Sequence, residues 1–202
     1  MKVHECLQHS EEWDALRLGI PTSSEFKSIL TPTKLQRSTS RESYLYTLAA
    51  QRISGRSDPT FTSTAMEEGI RREEESRRVY AMNHEVAVRR VGFCTEDGGR
   101  WGCSPDGLVG DDGMVELKNP LGKTMIGYLL KQAIPTEYHF QIQSQLFVTG
   151  REWCDFAPYY PGLPEVCLRV EPDRVIHKAL ASALVEFCNE LDSICAKIKG
   201  GS

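Results

Sequence analysis

The sequence predicts an α/β domain: a central mixed β-sheet flanked by helices. Apolar residues recur at helical spacing over several long segments, short strand-like runs lie between those segments, and a Gly110-Asp111-Asp112-Gly113 turn signal joins two of the runs. At 202 residues the chain fits a single domain, residues 1–202, with room for a substantial core and a frayed end over about residues 199–202.

The elements follow in order. Glu42 to Ile53 reads as a helix with Tyr44, Leu45, Leu48 and Ala49 on one face. Thr64 to Met82 reads as a longer helix. Glu85 to Phe93 and Arg100 to Leu108 read as strands, followed by Met114 to Leu117, the strand bearing Glu116. Pro135-Thr136-Glu137 supplies a helix start, so that Glu137 to Thr149 forms the next helix. Trp153 to Tyr160 and Val166 to Val170 read as further strands. Asp173 to Lys199 is an amphipathic closing helix, with Val175, Leu180, Leu184, Phe187, Leu191 and Ile194 at core spacing. Thr31 to Arg41 and Gly55 to Ser63 are expected as loops, the first of them mobile, because both are rich in small and polar residues.

Composition excludes several classes. No apolar run approaches a membrane span, and Met1-Lys2-Val3-His4-Glu5 does not begin a secretory signal, so a cytoplasmic location is expected. The seven cysteines are scattered without a CxxC pair and the five histidines form no ligand spacing, which argues for reduced thiols and against structural zinc. A net charge of −4 argues against a protein that coats nucleic acid broadly, though not against one meeting it through a local basic patch.

The most informative stretch is Ser104-Pro105-Asp106-Gly107, followed one turn later by Glu116-Leu117-Lys118. A hairpin at the intervening turn folds Asp106 back toward Glu116. Strand alternation points Glu116 and Lys118 the same way and sends Val115 and Leu117 into a core. Mg²⁺ prefers oxygen ligands and keeps several waters, so one or two carboxylates and a substrate phosphate suffice to hold it. A lysine beside them is placed to orient or deprotonate a water, or to meet the charge of a phosphorus transition state. Alone, a short D…ExK pattern also describes an exposed hairpin with ordinary charges.

Further segments raise its specificity. Trp13-Asp14-Ala15-Leu16-Arg17-Leu18-Gly19 with Pro21-Thr22-Ser23-Ser24-Glu25, then Gly69-Ile70-Arg71-Arg72-Glu73, precede the two motifs. Glu116-Leu117-Lys118 continues into Asn119-Pro120, and Tyr138-His139-Phe140-Gln141-Ile142-Gln143 with Leu146-Phe147-Val148-Thr149 follows. In this order and spacing the chain resembles the lambda exonuclease / YqaJ-type viral recombinases of the PD-(D/E)xK nuclease superfamily, from about residue 8 to residue 160. The resemblance implies a restriction-endonuclease-like core.

It also implies roles. Asp106, Glu116 and the Leu117 carbonyl would hold Mg²⁺, with Mn²⁺ as a substitute, and Lys118 would position or activate the water. Glu73, four residues after Gly69, would add a further site carboxylate, although alone it reads as an i,i+4 partner of Arg77. Gln141 and Gln143 cannot share one helix face, and the resemblance favours Gln143 near the reactive phosphate. Arg17, Ser24 and Ser104 would bind the DNA 5′ phosphate. At the family's next basic position this sequence has no arginine, and Lys123 is the substitute.

The activity implied is 5′-to-3′ digestion of one strand from ends of double-stranded DNA, releasing mononucleotides and leaving a 3′ single-stranded tail. A ring-shaped homotrimer, a single-strand annealing protein as partner, and a phage or prophage origin in a bacterial host come with it. Two other readings stay open: a structure- or sequence-specific endonuclease on the same core, and a non-catalytic DNA-end-binding protein.

Overall fold

The computed structural model describes residues 1–58 and 64–200, with the side chains of residues 64–70 excepted. Residues 59–63 of the second expected loop, and Gly201 and Ser202 of the expected frayed end, lie outside the described residues.

A five-stranded mixed sheet forms the centre. Its strands are β2 (Val88–Arg89), β5 (Gly107–Val109), β6 (Gly113–Lys118), β7 (Trp153–Pro158) and β8 (Leu168–Val170), in the order β2-β5-β6-β7-β8. Only β6 and β7 run parallel among the described pairs. A parallel pair needs a long crossover, which α4 (Gly122–Lys131) and α5 (Thr136–Thr149) supply. A separate antiparallel sheet, β1-β3-β4, comprises Lys2–His4, Phe93–Thr95 and Gly102–Cys103. The remaining elements are α1 (Glu11–Arg17), a short 3₁₀ helix (Ser23–Ser28), α2 (Arg41–Ser54), α3 (Thr64–Asn83) and α6 (Arg174–Gly200).

Two expected strands are each split. Glu85 to Phe93 divides into β2 and the start of β3, which belong to different sheets. Arg100 to Leu108 divides into β4 and β5 around Ser104-Pro105-Asp106. Pro105 has no N–H to donate, which favours a break in the ladder there. The β1-β3-β4 sheet and α4 were not among the expected elements. Thr31 to Arg41, expected as a mobile loop, folds on itself: Thr31 N–H donates to Gln36 O at 2.8 Å and Ser38 N–H to Ile29 O at 3.0 Å. In α6, Val175 is exposed, and Ile176, one position on, takes its expected place in the core.

Strand β6 is buried on both faces. Met114 and Glu116 face the larger core with Leu108, Phe140, Leu146 and Phe156, while Val115 and Leu117 join Tyr80, Val109 and Ala157 in a smaller cluster. Gly113 is required at the hairpin because a side chain there would collide with the Trp153 ring. The Arg151 guanidinium fastens the same turn, Nη1 donating to Gly110 O at 2.9 Å and Gly113 O at 2.6 Å. On the neighbouring strand, buried Asp155 accepts from Tyr80 Oη at 2.8 Å and from both Arg169 Nε and Nη2, at 2.8 and 2.9 Å. This ties α3, β7 and β8 together behind the site.

Candidate active site

The hairpin register brings the two motifs into contact. Gly107 pairs with Val115, so Pro105 falls opposite Leu117. With no partner to exchange ladder bonds there, the Leu117 N–H donates to Asp106 Oδ2 at 2.7 Å. Asp106 is thereby turned toward the C-terminal end of β6, where Glu116 and Lys118 lie.

Glu116 is 1% exposed, and a buried carboxylate needs donors. Gln141 Nε2 donates to Oε1 at 2.9 Å, Gln145 Nε2 donates to Oε2 at 2.8 Å, and the Lys118 ammonium pairs with Oε1. Burial works against the Lys118 charge, but Glu116 and Asp106 outweigh it and hold the ammonium above the ordinary lysine range. Lys118 Nζ also lies 5.2 Å from the centre of the Tyr138 ring. The Asp106 carboxyl is pushed well above its ordinary value, first by burial and then by the charge of Glu116, with Lys118 opposing and Glu73 adding to the push.

Glu73 lies on α3 and lines a cleft of about 200 Å³ together with Asp106, Arg77, Arg90 and Gln8. Its carboxylate pairs with Arg77, whose Nε donates to the Asp106 carbonyl at 3.1 Å. Among the described residues no three acidic, histidine or cysteine side chains close around one point as a metal cage would. The donor set nevertheless fits a hard divalent cation. Carboxylates are crowded together at the cost of a raised Asp106 pKa, and Mg²⁺ needs only one or two of them.

Arg17 ends α1, a helix capped where Ser10 Oγ accepts from Trp13 N–H at 3.2 Å. The guanidinium carbon lies 4.0 Å over the Trp13 ring, and Nη1 donates to Ser104 Oγ at 3.4 Å. Burial lowers the Arg17 pKa from its ordinary value. Ser104 also accepts from Trp13 Nε1 at 2.9 Å. Arg17 and Ser104 thus meet two residues from Asp106. Ser24 does not join them: it is exposed on the 3₁₀ helix, with its Oγ 3.3 Å from Thr22 Oγ1. It lines a second cleft, of about 230 Å³, with Lys27, Tyr138 and Gln141. Lys123 is exposed in the first turn of α4, and no described bond links it to Arg17, Ser104 or Asp106.

Gln143, expected near the reactive phosphate, is buried; its Nε2 donates to Glu171 O at 2.7 Å and its Oε1 accepts from Asp173 N–H at 2.8 Å. Its amide therefore fastens the entry to α6 and does not bond the site carboxylates. At about 100° per residue, Gln141 and Gln145 share a helix face from which Gln143 is turned away. Gln145 was missed in the sequence, although its i,i+4 spacing from Gln141 was the signal available. Trp13 was quoted there without a role of its own.

An α/β core with a mixed sheet, carrying Asp106 just before β5 and Glu116-Leu117-Lys118 on the adjacent β6, defines a protein of the alkaline exonuclease fold. The chain is similar to the crystal structure of an alkaline exonuclease from Laribacter hongkongensis, at 32% identity and TM-score 0.85, covering 95% of this chain and 97% of that one. It is similar to the same enzyme in complex with dAMP, at 33% identity and TM-score 0.84, with the same coverage. A phage related exonuclease from Haemophilus somnus 129PT shares the fold, at 12% identity and TM-score 0.64, over 91% of this chain and 98% of that one. The chain belongs to the family defined by the YqaJ-like viral recombinase domain, whose model matches residues 12–152. No curated protein sequence matches it significantly.

Proposed function

We propose that this protein is a Mg²⁺-dependent deoxyribonuclease that digests linear double-stranded DNA from its ends, 5′ to 3′, releasing mononucleotides and leaving 3′ single-stranded tails. The observation that carries the reading is the convergence of Asp106, Glu116 and Lys118 at the C-terminal end of the central strand β6, with Arg17 and Ser104 bonded to each other beside it. The family membership and the likeness to alkaline exonucleases support it.

Asp106 and Glu116, with Glu73 and the Leu117 carbonyl, would hold Mg²⁺, and Mn²⁺ would substitute. When bound, the ion supplies Lewis acidity, acidifying an attacking water and neutralising charge on the phosphodiester. Gln141 and Lys118 both anchor Oε1 of Glu116. The Lys118 ammonium donates to the attacking water and meets the negative charge that grows on the phosphoryl oxygens. Arg17, stiffened by its stack on Trp13, and Ser104 bind the terminal 5′ phosphate, which fixes the distance from strand end to cleaved bond. Ser24 and Lys123, both exposed, would add to the 5′-phosphate contacts. A homotrimer around the duplex and a single-strand annealing partner in the bacterial cytoplasm complete the proposal.

The test is digestion in Mg²⁺ of linear duplex DNA beside a covalently closed circle. Loss of the linear DNA alone, abolished by chelation, is expected. Cutting of the circle would make the protein an endonuclease on the same core.

A further inference from the structure

We propose that Gln145 is a positioning residue that fixes the Glu116 carboxylate in the orientation needed to hold a divalent cation. The inference rests on the metal-dependent reading above and assigns a role that the sequence motifs do not contain.

Glu116 is almost wholly buried, and its two oxygens are held differently. Oε1 faces Lys118 and Gln141, and Gln141 lines the second cleft. Oε2 takes its described hydrogen bond from Gln145 Nε2, at 2.8 Å. Only the amide nitrogen can donate to a carboxylate, so the orientation of the Gln145 amide follows from the chemistry of its partner. Its own Oε1 is then buried with no described donor.

That arrangement is not one that packing alone would select. Gln145 is 1% exposed and sits among core residues, with Leu146 and Ile142 beside it on the helix. An apolar side chain of similar size would leave no unpaired carbonyl oxygen there. The feature that requires an amide is Oε2 of Glu116. A carboxylate pinned at Oε1 alone can still swing about its Cγ–Cδ bond. Donors on both oxygens, from two residues one helical turn apart, stop that rotation. Groups behind a metal ligand commonly set its orientation, and their loss typically lowers metal affinity.

The test is calorimetric titration with Mn²⁺ in the absence of DNA, on wild-type protein, E116Q, Q145L and Q145N, with thermal denaturation of each metal-free protein beside it. Wild type should bind and E116Q should bind far more weakly. Q145L should lose roughly 10- to 100-fold in Mn²⁺ affinity. Q145N keeps an amide but is one methylene too short to reach Oε2, and should fall with it; if Q145L does not fold, Q145N decides. In turnover, folded variants should need roughly 10- to 100-fold more Mg²⁺ to reach half-maximal rate, with KM for DNA ends at saturating Mg²⁺ little changed. Wild-type Mn²⁺ affinity in the Gln145 variants, whatever their melting temperature, would reduce the residue to a structural one and overturn the proposal while sparing the nuclease reading. Failure of wild type to bind Mn²⁺, or undiminished binding by E116Q, would overturn the metal-dependent reading and this proposal together.

Discussion

Replacing Lys118 by methionine removes one charge from the site and keeps nearly all of the side-chain length. The ammonium pairs with Glu116 Oε1 and faces Asp106, so the lost attraction is large in gross terms: about 4 kcal/mol for unit charges near 4 Å at an effective dielectric constant of 20. The net effect on folding is much smaller. Burying the ammonium carries an opposing desolvation cost, and Glu116 keeps the Gln141 and Gln145 donors. A stability change within about 2 kcal/mol is expected, which for a chain of this size is a shift of roughly 4–8 °C in Tm. Catalysis has no such compensation. A group that handles the proton or meets transition-state charge contributes about 10²- to 10⁴-fold, or roughly 3–5 kcal/mol of barrier. K118M should therefore bind 5′-phosphorylated duplex ends in Ca²⁺ much as wild type does, while single-turnover release of labelled nucleotide in Mg²⁺ falls by about 10²-fold or more. A rate within tenfold of wild type, with folding intact, would refute the role given to Lys118.

Two further outcomes follow from other parts of the molecule. Replacing Arg17 by alanine should lower kcat/KM on 5′-phosphorylated ends by about 10- to 100-fold, the value of one hydrogen bond between charged groups, and leave 5′-hydroxyl ends nearly unchanged. R17K should lie between, since lysine keeps the charge and loses the fork and the stack on Trp13; equal losses on both kinds of end would remove Arg17 from the phosphate pocket. For Asp155, burial favours the neutral acid, but the bonds from Arg169 and Tyr80 outweigh it and hold the carboxyl below its ordinary value. Its contribution is therefore fully present above the unfolded pKa of about 3.9 and is lost as pH falls through the lower folded-state value. D155N should cost about 1–2 kcal/mol at neutral pH, Arg169 being half-exposed, with the gap to wild type closing below about pH 4. Denaturant titrations across that range check it, and a gap that stays constant into acid would contradict the assignment.

The parts of the fold legible in the sequence were those set by local chemistry. The Gly110-Asp111-Asp112-Gly113 turn specified the β5–β6 hairpin, and with it the approach of Asp106 to β6. Arg41–Ser54 and Arg174–Gly200 matched the long apolar periodicities to within a residue or two. What failed depended on distant partners. Phe93 and Cys94 leave the line of β2 because β1, some ninety residues earlier in the chain, pairs with them. Nothing in the run Glu85 to Phe93 encodes that.

The glutamines show the same limit at the site. Periodicity says that Gln141 and Gln143 face different ways, but only the packing of α5 against β6 decides which of them meets Glu116. That packing also brings in Gln145 and gives Gln143 to the backbone at the start of α6. For Glu73 the local and distant readings coexist: it pairs with Arg77 one turn along α3, and it borders the cleft that holds Asp106.

The central claim is end-dependent, polar, metal-dependent hydrolysis. Its most direct test is linear duplex DNA carrying a distinguishable label at each strand's 5′ and 3′ end, incubated with the protein and Mg²⁺. The account predicts early release of the 5′ label as a mononucleotide, with the 3′ label retained on a shortening strand. Early release of the 3′ label, or internal fragments from either strand, would contradict it.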